Sequence, residues 1–256
     1  LIGIKGTRGV GKTTFLLQYA KEKFGTDRSC LFINMNNFYF SGHSIVDFAY
    51  EFQRRGGKVL LIDQVFKHPD WSKELRLCYD RFPNLKIVFT GSSVMRLKEE
   101  NLELRDIVKS YNLRGFSFRE YLNLQTGMKF RSYSLEEILS NHEQIAKGIL
   151  SKVRPLDHFQ DYMHHGFYPF FLEKRNFSEN LLKTMNMMVE VDILLIKQIE
   201  LKYLSKIKKL LYFLAVDGPK APNVSQLAND IQTSRATVMN YIKYLADARL
   251  INMVYP

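Results

Sequence analysis

A run of nine residues near the start of the sequence has the composition of a loop that holds phosphate groups. Residues 6–14 read GTRGVGKTT and fit the spacing G-x-x-x-x-G-K-[ST] without a mismatch. Glycines let the backbone wrap an anion, a lysine adds a positive charge, and the hydroxyl that follows can bind magnesium. The sequence therefore predicts a P-loop for ATP and Mg²⁺. Its predicted nucleotide ligands are Gly6, Gly9, Val10, Gly11, Lys12, Thr13 and Thr14.

A carboxylate follows a hydrophobic strand about fifty residues after this loop. Residues 58–62 read KVLLI, and Asp63 comes next. A carboxylate at the end of such a strand holds magnesium in phosphoryl-transfer sites, so we expect Thr13 and Asp63 to bind the metal. Gln64 then stands where a hydrolytic enzyme needs a proton acceptor, and an amide can position water but cannot take its proton. Gln64 is either a natural weakening of hydrolysis or a substitution that traps bound ATP.

Hydroxyl side chains follow the next predicted strand, residues 85–89. Thr90 and Ser92 lie at its carboxyl end, beside the strand that leads into the loop. Ligands of open α/β sheets bind outside the carboxyl ends of the strands, so either hydroxyl could face the third phosphate and report its presence. A polar strand-to-helix turn is the alternative.

Short apolar strands that alternate with helices must position these residues, and this alternation predicts a parallel sheet covered on both faces. Strands are predicted at 1–5, 30–34, 58–63, 85–90 and 109–113, with helices at 12–24, 44–55, 71–82 and 118–124. From residue 126 only helices are predicted, and the last three form a helix-turn-helix pattern at 204–215, 224–231 and 234–248. We predict an α/β core (1–125), an all-helical lid (126–201) and a winged-helix domain (202–256).

Composition and charge narrow the class of protein further. The net charge of +11 favours anionic partners such as nucleotide, nucleic acid or an acidic protein face. Cys30 and Cys78 lie far apart in apolar patterns, which indicates reduced thiols in the cytoplasm. No apolar run is long enough for a membrane span, so no membrane partner is predicted. Leu1 is expected to lie inside a strand, which indicates that the sequence is part of a longer chain.

The last predicted helix offers two functions. We predict that Arg235, Thr237, Asn240, Tyr241 and Lys243 face away from an apolar stripe of Met239, Ile242 and Leu245. A recognition helix presents such a face to a DNA major groove, and residues 201–256 carry eight Lys or Arg against three Asp. The alternative, which we favour, is that this module packs on the nucleotide domain and acts as an intramolecular lever.

With these residues in view, the sequence resembles a family of prokaryotic AAA-type ATPases related to the archaeal ATPase and STAND classes. The resemblance is carried by residues 6–14, the strand ending at Asp63, and residues 68–93, 113–122 and 166–173. It implies a AAA core, a helical lid and a winged helix, often followed by a nuclease-like domain. It also implies ATP at Lys12 and Thr13, magnesium at Asp63 and sensing near Ser92.

Three positions depart from the family pattern. Gln64 replaces the family's glutamate, Phe66 stands where histidine is common, and of the paired arginines only Arg105 remains nearby. We therefore expect a cytoplasmic ATP-driven switch with slow hydrolysis. The alternatives are an ATP-tuned DNA-binding regulator and a non-hydrolysing nucleotide-loaded scaffold that recruits another protein, and a homo-oligomer is compatible with each.

Overall fold

A computed structural model describes residues 1–174, 176–218 and 220–254 of the chain. The chain divides into two compact units. The larger unit joins residues Leu1–Leu113 to the chain from Leu181 onward, and the smaller unit is Arg114–Asn180. The predicted three-part division stays a prediction, and the final residues 255 and 256 of its last part lie outside the described ranges.

Five parallel strands form the sheet of the larger unit, in the order β2-β3-β4-β1-β5. They are β1 (Ile2–Gly6), β2 (Cys30–Asn34), β3 (Val59–Asp63), β4 (Lys86–Ser92) and β5 (Lys109–Asn112). Every residue of β3 is buried, as expected for a central parallel strand with helices on both faces. The five predicted strands and the predicted α/β class are confirmed, with small shifts at strand ends.

Helices accompany the sheet along the described chain. They are α1 (Lys12–Lys23), α2 (Ile45–Arg54), α3 (Trp71–Arg81), α4 (Phe118–Thr126), α5 (Leu135–Leu150), α6 (Leu156–Asp161), α7 (Phe177–Met187), α8 (Leu194–Lys197), α9 (Leu204–Asp217), α10 (Val224–Asp230) and α11 (Arg235–Asp247). Short 3₁₀ helices occupy Phe38–Ser41, Val65–Lys67, Leu102–Leu104, Pro169–Glu173 and Leu201–Tyr203, and π-helical turns occupy Tyr162–Gly166 and Met188–Ile193. Among the described helices, none is long and apolar enough to cross a membrane.

Two apolar layers sandwich the sheet because successive side chains of a strand point to opposite faces. On one face, Leu60 and Ile62 of β3 share a core with residues of α2 and α3. On the other face, Val59 and Leu61 pack with Leu16 of α1. These two layers hold β1, β3 and β4 in place, so that their carboxyl ends lie side by side.

The C-terminal helices form a second core in the larger unit. Asn223 caps α10 and Ser234 caps α11. The predicted orientation of α11 is wrong for two residues: Tyr241 is only 5% exposed, whereas Met239 is 53% exposed. The buried face runs through Val238, Tyr241, Ile242 and Leu245. This i, i+3, i+4, i+7 spacing is the regular helical stripe, and the prediction began it one residue too late.

The smaller unit is held together by aromatic side chains. Tyr121 is buried and packs against the rings of Tyr162, His165 and Phe171. The Tyr162 hydroxyl donates a hydrogen bond to the carbonyl of Phe116 at 2.9 Å. A capping box begins α5, with Ser134 and Glu137 bonded reciprocally.

Candidate functional site

The P-loop connects β1 to α1 and depends on three glycines. A Cβ atom on Gly6 would lie 2.3 Å from the carbonyl oxygen of Leu113, so only glycine fits there. Gly9 and Gly11 have φ angles of 84° and 92°, a region that favours glycine. Gly11 precedes the first residue of α1 and has no side chain to cap the helix. The N–H groups of the first turn therefore remain available for an anion.

Lys12 bends back over this loop. Its Nζ donates hydrogen bonds to the carbonyl oxygens of Gly6 at 2.9 Å and Thr7 at 2.7 Å. Burial lowers the pKa of the Lys12 ammonium to about 8; Asp192 opposes this shift and Arg8 adds to it. The predicted nucleotide ligands Val10 and Thr14 lie in the same loop and helix turn. A partly desolvated ammonium bound only by neutral carbonyls is well suited to attract a phosphate.

Asp63 lies at the centre of a network of buried hydrogen bonds. Its Oδ2 accepts hydrogen bonds from Thr13 Oγ1 at 2.9 Å and Asn34 Nδ2 at 3.0 Å, and its Oδ1 accepts one from Thr90 Oγ1 at 2.5 Å. Asn34 is opposite Asp63 in the β2–β3 register. The structure thus brings together both residues predicted to bind the metal. Asn34 was missed, although its position at a strand end is visible in the sequence.

The oxygen atoms of this network suit magnesium. Mg²⁺ prefers one or two protein oxygens together with substrate phosphates, and the Thr13 hydroxyl and Asp63 carboxylate lie side by side. Within the described ranges, no cluster of three or more His, Cys, Asp or Glu residues could hold a metal. The nearby Thr7 hydroxyl is buried and has no hydrogen-bond partner among the described residues. A cation shared with bound phosphates fits this donor set.

Thr90 fixes Gln64 relative to Asp63. The Thr90 hydroxyl donates to Asp63 and accepts a hydrogen bond from the backbone N–H of Gln64 at 2.9 Å. Gln64 adopts a left-handed conformation, with φ 54° and ψ 47°. Non-glycine residues in this conformation are strained and cluster at functional sites. The structure therefore places Thr90 between the predicted metal ligand and the predicted water-positioning residue, and its sensor role stays a prediction.

Ser92 contacts a carboxylate that sequence reasoning missed. Ser92 Oγ donates to Asp192 Oδ2 at 3.0 Å, and the Arg8 guanidinium donates to Asp192 Oδ1 at 2.6 Å. Asp192 is 3% exposed and belongs to the π-helical turn Met188–Ile193. The available signal was its helical spacing of three and four residues from the apolar Val189 and Met188, which places an acid on a buried face.

Lys67 belongs to the same group of charges. Burial lowers the pKa of the Lys67 ammonium; Arg8 adds to the shift and Asp192 opposes it. Three cations, Arg8, Lys12 and Lys67, therefore lie near the carboxylates of Asp63 and Asp192. This surplus of positive charge at the ends of β1, β3 and β4 suits a polyphosphate.

The family comparison agrees with this geometry. Residues 1–122 match the family model described as AAA domain. The N-terminal half of the chain is a AAA-type P-loop domain. Within this AAA domain, the glycine loop follows β1, Asp63 ends β3, and Ser92 ends β4. A second family model, described as a domain of unknown function, matches residues 156–256.

Similar proteins extend over more than the AAA domain. The uncharacterized protein MJ1637 of Methanocaldococcus jannaschii is 29% identical over 272 residues, which cover 100% of this chain and 57% of that protein. The chain thus spans little more than half of this relative. The structures of AMPPCP-bound DnaA from Aquifex aeolicus and of Aeropyrum pernix ORC1 in complex with DNA are 13% and 10% identical, with TM-scores of 0.33 and 0.37. The alignments with DnaA and ORC1 cover 98% and 97% of this chain. They cover 82% of the DnaA chain and 77% of the ORC1 chain.

Proposed function

We propose that this chain is an ATP-dependent switch, in which bound MgATP changes the position of the C-terminal helix-turn-helix. The P-loop and Lys12 would hold the phosphates, and Thr13 and Asp63 would hold the magnesium. Mg²⁺ would neutralise phosphate charge when bound. The family resemblance and the surplus of cations at the sheet edge support a nucleoside triphosphate as the ligand.

One short segment carries the proposal of a switch. Residues 92–96, which we call the coupling segment, connect the carboxyl end of β4 to the C-terminal helices. Ser92 bonds to Asp192 in the site, Val94 is fully buried in the C-terminal core, and Arg96 bonds to Asp247 of α11. Both bonds from Arg96 to the Asp247 carboxylate measure 3.1 Å. A displacement of Ser92 would therefore be transmitted to α11 through these contacts.

A further ion pair supports this arrangement. Lys197 Nζ, just after the π-helical turn, donates to Glu100 Oε1 at 2.6 Å, four residues beyond the coupling segment. The C-terminal helices thus hold the AAA domain through the ion pairs of Arg8, Arg96 and Lys197 as well as through the buried Val94. Packed cores tend to respond to small shifts by discrete rearrangement rather than by continuous deformation. A lever fits these contacts better than a free module does.

Slow hydrolysis is part of the proposal. Thr90 holds Gln64 where the carboxylate of a hydrolytic AAA enzyme is expected, but the amide cannot accept a proton from water. The ATP-bound state would then persist, as a switch or a nucleotide-loaded scaffold requires. Cytoplasmic location and assembly with further copies or partner proteins remain part of the same proposal.

DNA binding is the second candidate, and the exposed face of α11 favours it. Arg235, Asn240 and Lys243 are exposed there. However, Lys206 and Lys209 of α9 donate to backbone carbonyls around the turn before α11, at 2.6 and 2.7 Å. These bonds place two of the local cations within the module rather than leaving them for phosphates. The described residues after α11, 248–254, form no strand, so the wing of a winged helix stays a prediction.

Calorimetry and hydrogen exchange test the proposed switch together. MgATP should bind the wild-type protein and alter amide exchange in the coupling segment and α11, whereas Lys12→Ala should abolish both effects without loss of fold. Lys23→Ala, in the last turn of α1, is the matched control because it removes a lysine from the same helix outside the loop.

Three outcomes separate the candidates. Undiminished ATP affinity in folded Lys12→Ala would overturn the nucleotide site. Tight binding without any change of exchange in α11 would overturn the lever and favour the scaffold. Salt-sensitive binding of duplex DNA, lost with Arg235→Ala and Lys243→Ala, would favour the DNA-binding regulator.

A further inference from the structure

The carboxylate of Asp192 engages two donors that face the expected phosphate site. Arg8 lies inside the P-loop, and Ser92 lies at the carboxyl end of β4, the strand beside β1. Asp192 accepts a hydrogen bond from each, at 2.6 and 3.0 Å. A guanidinium in a P-loop and a hydroxyl at the adjacent strand end are groups that would also bind a terminal phosphate.

Asp192 is a buried anion among cations. It is 3% exposed, and its charge opposes the burial-driven lowering of the pKa values of Lys12 and Lys67. The Nε–H of Arg8 is buried and has no hydrogen-bond partner in the part of the chain that the structure describes. The guanidinium therefore has donor capacity that Asp192 does not use. A second anion at this place would be attracted by Arg8 and repelled by Asp192.

The backbone that carries Asp192 belongs to the C-terminal core. Its neighbours Met188, Val189 and Ile193 are buried with residues of α9, α10 and α11. The turn is wound as a π-helix, a rare geometry that occurs mostly as single turns and frequently at functional sites. A force on the Asp192 side chain would thus act on the helix-turn-helix by a second route, through the backbone of its own turn rather than through Val94 and Arg96.

We propose that Asp192 competes with the third phosphate of ATP for Arg8 and Ser92, and so makes the switch respond to ATP but not to ADP. The inference rests on the proposed function. When the third phosphate takes these donors, the Asp192 carboxylate loses two hydrogen bonds and meets a like charge. The π-helical turn then leaves its contact with the nucleotide site. ADP has no phosphate at that place, and the contact persists.

The competition predicts a selective effect of Asp192→Asn. The amide retains an oxygen for Arg8 or Ser92 but loses the charge, so ATP should bind more tightly and ADP should bind as before. The expected rise in the ATP-to-ADP affinity ratio is at least about fivefold, the lower end of typical coupling between sites. Exchange in α11 of the nucleotide-free variant should resemble that of the ATP-bound wild type. Both measurements need no turnover.

Glu190→Gln is the matched control. Glu190 lies two positions away in the same turn, but its carboxylate is exposed and pairs with Lys208. This variant should leave the affinity ratio and the exchange of α11 unchanged. Arg8→Gln serves as a second test, because the Arg8 side chain is 24% exposed, against 4% for Asp192, and glutamine keeps an amide donor for the carboxylate. It removes a donor to the third phosphate, and its ATP affinity should fall towards that of ADP.

The outcomes distinguish this inference from the proposed function. If the wild-type protein binds neither nucleotide, the proposed function itself fails. If it binds both, and Asp192→Asn shifts their affinities equally or weakens ATP alone, Asp192 does not compete with the third phosphate. If Asp192→Asn does not fold and Arg8→Gln binds ATP and ADP with the wild-type ratio, the inference is likewise refuted.

Discussion

Replacement of Thr90 by valine should destabilise the larger unit, because the Thr90 hydroxyl serves two groups at once. It donates to the ionised Asp63 and accepts from the Gln64 backbone. Valine has the same shape but neither capacity. A hydrogen bond to a charged group contributes about 1.5–3 kcal/mol, and an unsatisfied buried N–H costs about 1–3 kcal/mol. The methyl group that valine has in place of the hydroxyl adds roughly 0.8 kcal/mol of stability by burial.

These contributions sum to a loss of about 2–5 kcal/mol in the free energy of unfolding. Thr90→Ser is the control, because it keeps the hydroxyl and removes one buried methyl, for roughly 1 kcal/mol. Thr90 is fully buried, so solvent cannot replace the lost partner. The difference between the two variants therefore isolates the hydroxyl from the packing.

Urea unfolding followed by Trp71 fluorescence measures this difference. Trp71 is the only tryptophan, it begins α3 in the larger unit, and its ring lies 6.1 Å from that of Phe89 on β4. With a typical slope of about 2–3 kcal/mol per molar urea, the Thr90→Val midpoint should fall by about 1–2 M. If Thr90→Val and Thr90→Ser unfold at the same concentration, the hydroxyl does not hold Asp63 and Gln64 together.

Two further predictions concern the chemistry of the site. Gln64→Glu should raise ATP turnover by about 100-fold or more with little change in ATP affinity, because general-base assistance contributes about 10²–10⁴ in rate. Equal rates of phosphate release by both proteins would show that Gln64 does not position the water. ATP affinity measured by calorimetry should also fall as the pH rises above about 8, since the lowered pKa of Lys12 lets its ammonium lose its proton there. The decline approaches tenfold per pH unit, and a constant affinity from about pH 7.5 to 9.5 would contradict it.

The P-loop and the positions of the five strands could be predicted because local sequence determines both. The glycine spacing, the apolar run before Asp63 and the helix caps each act over a few residues, and the structure contains each of them. Thr13 and Asp63 were expected to meet because parallel strands end at one edge of the sheet. Their hydrogen bond of 2.9 Å agrees with this.

The partner of Ser92 could not be predicted in the same way. Asp192 follows Ser92 by 100 residues and Arg8 by 184. No local rule connects positions so far apart, and a lone acid in an apolar helix is equally compatible with a local salt bridge. The error at α11 has a different cause. The stripe was started at Met239 rather than Val238, and one residue rotates a helical face by about 100°.

Both carboxylates of the site are already engaged in hydrogen bonds, and this bears on turnover. Each oxygen of Asp192 already accepts a hydrogen bond, from Arg8 and from Ser92. Asp63 is committed to Thr13, Asn34 and Thr90 in the same way. Neither acid is therefore placed to take over the proton transfer that Gln64 cannot perform. We infer that release of Asp192 by the third phosphate, rather than hydrolysis, is the event to which the C-terminal helices respond.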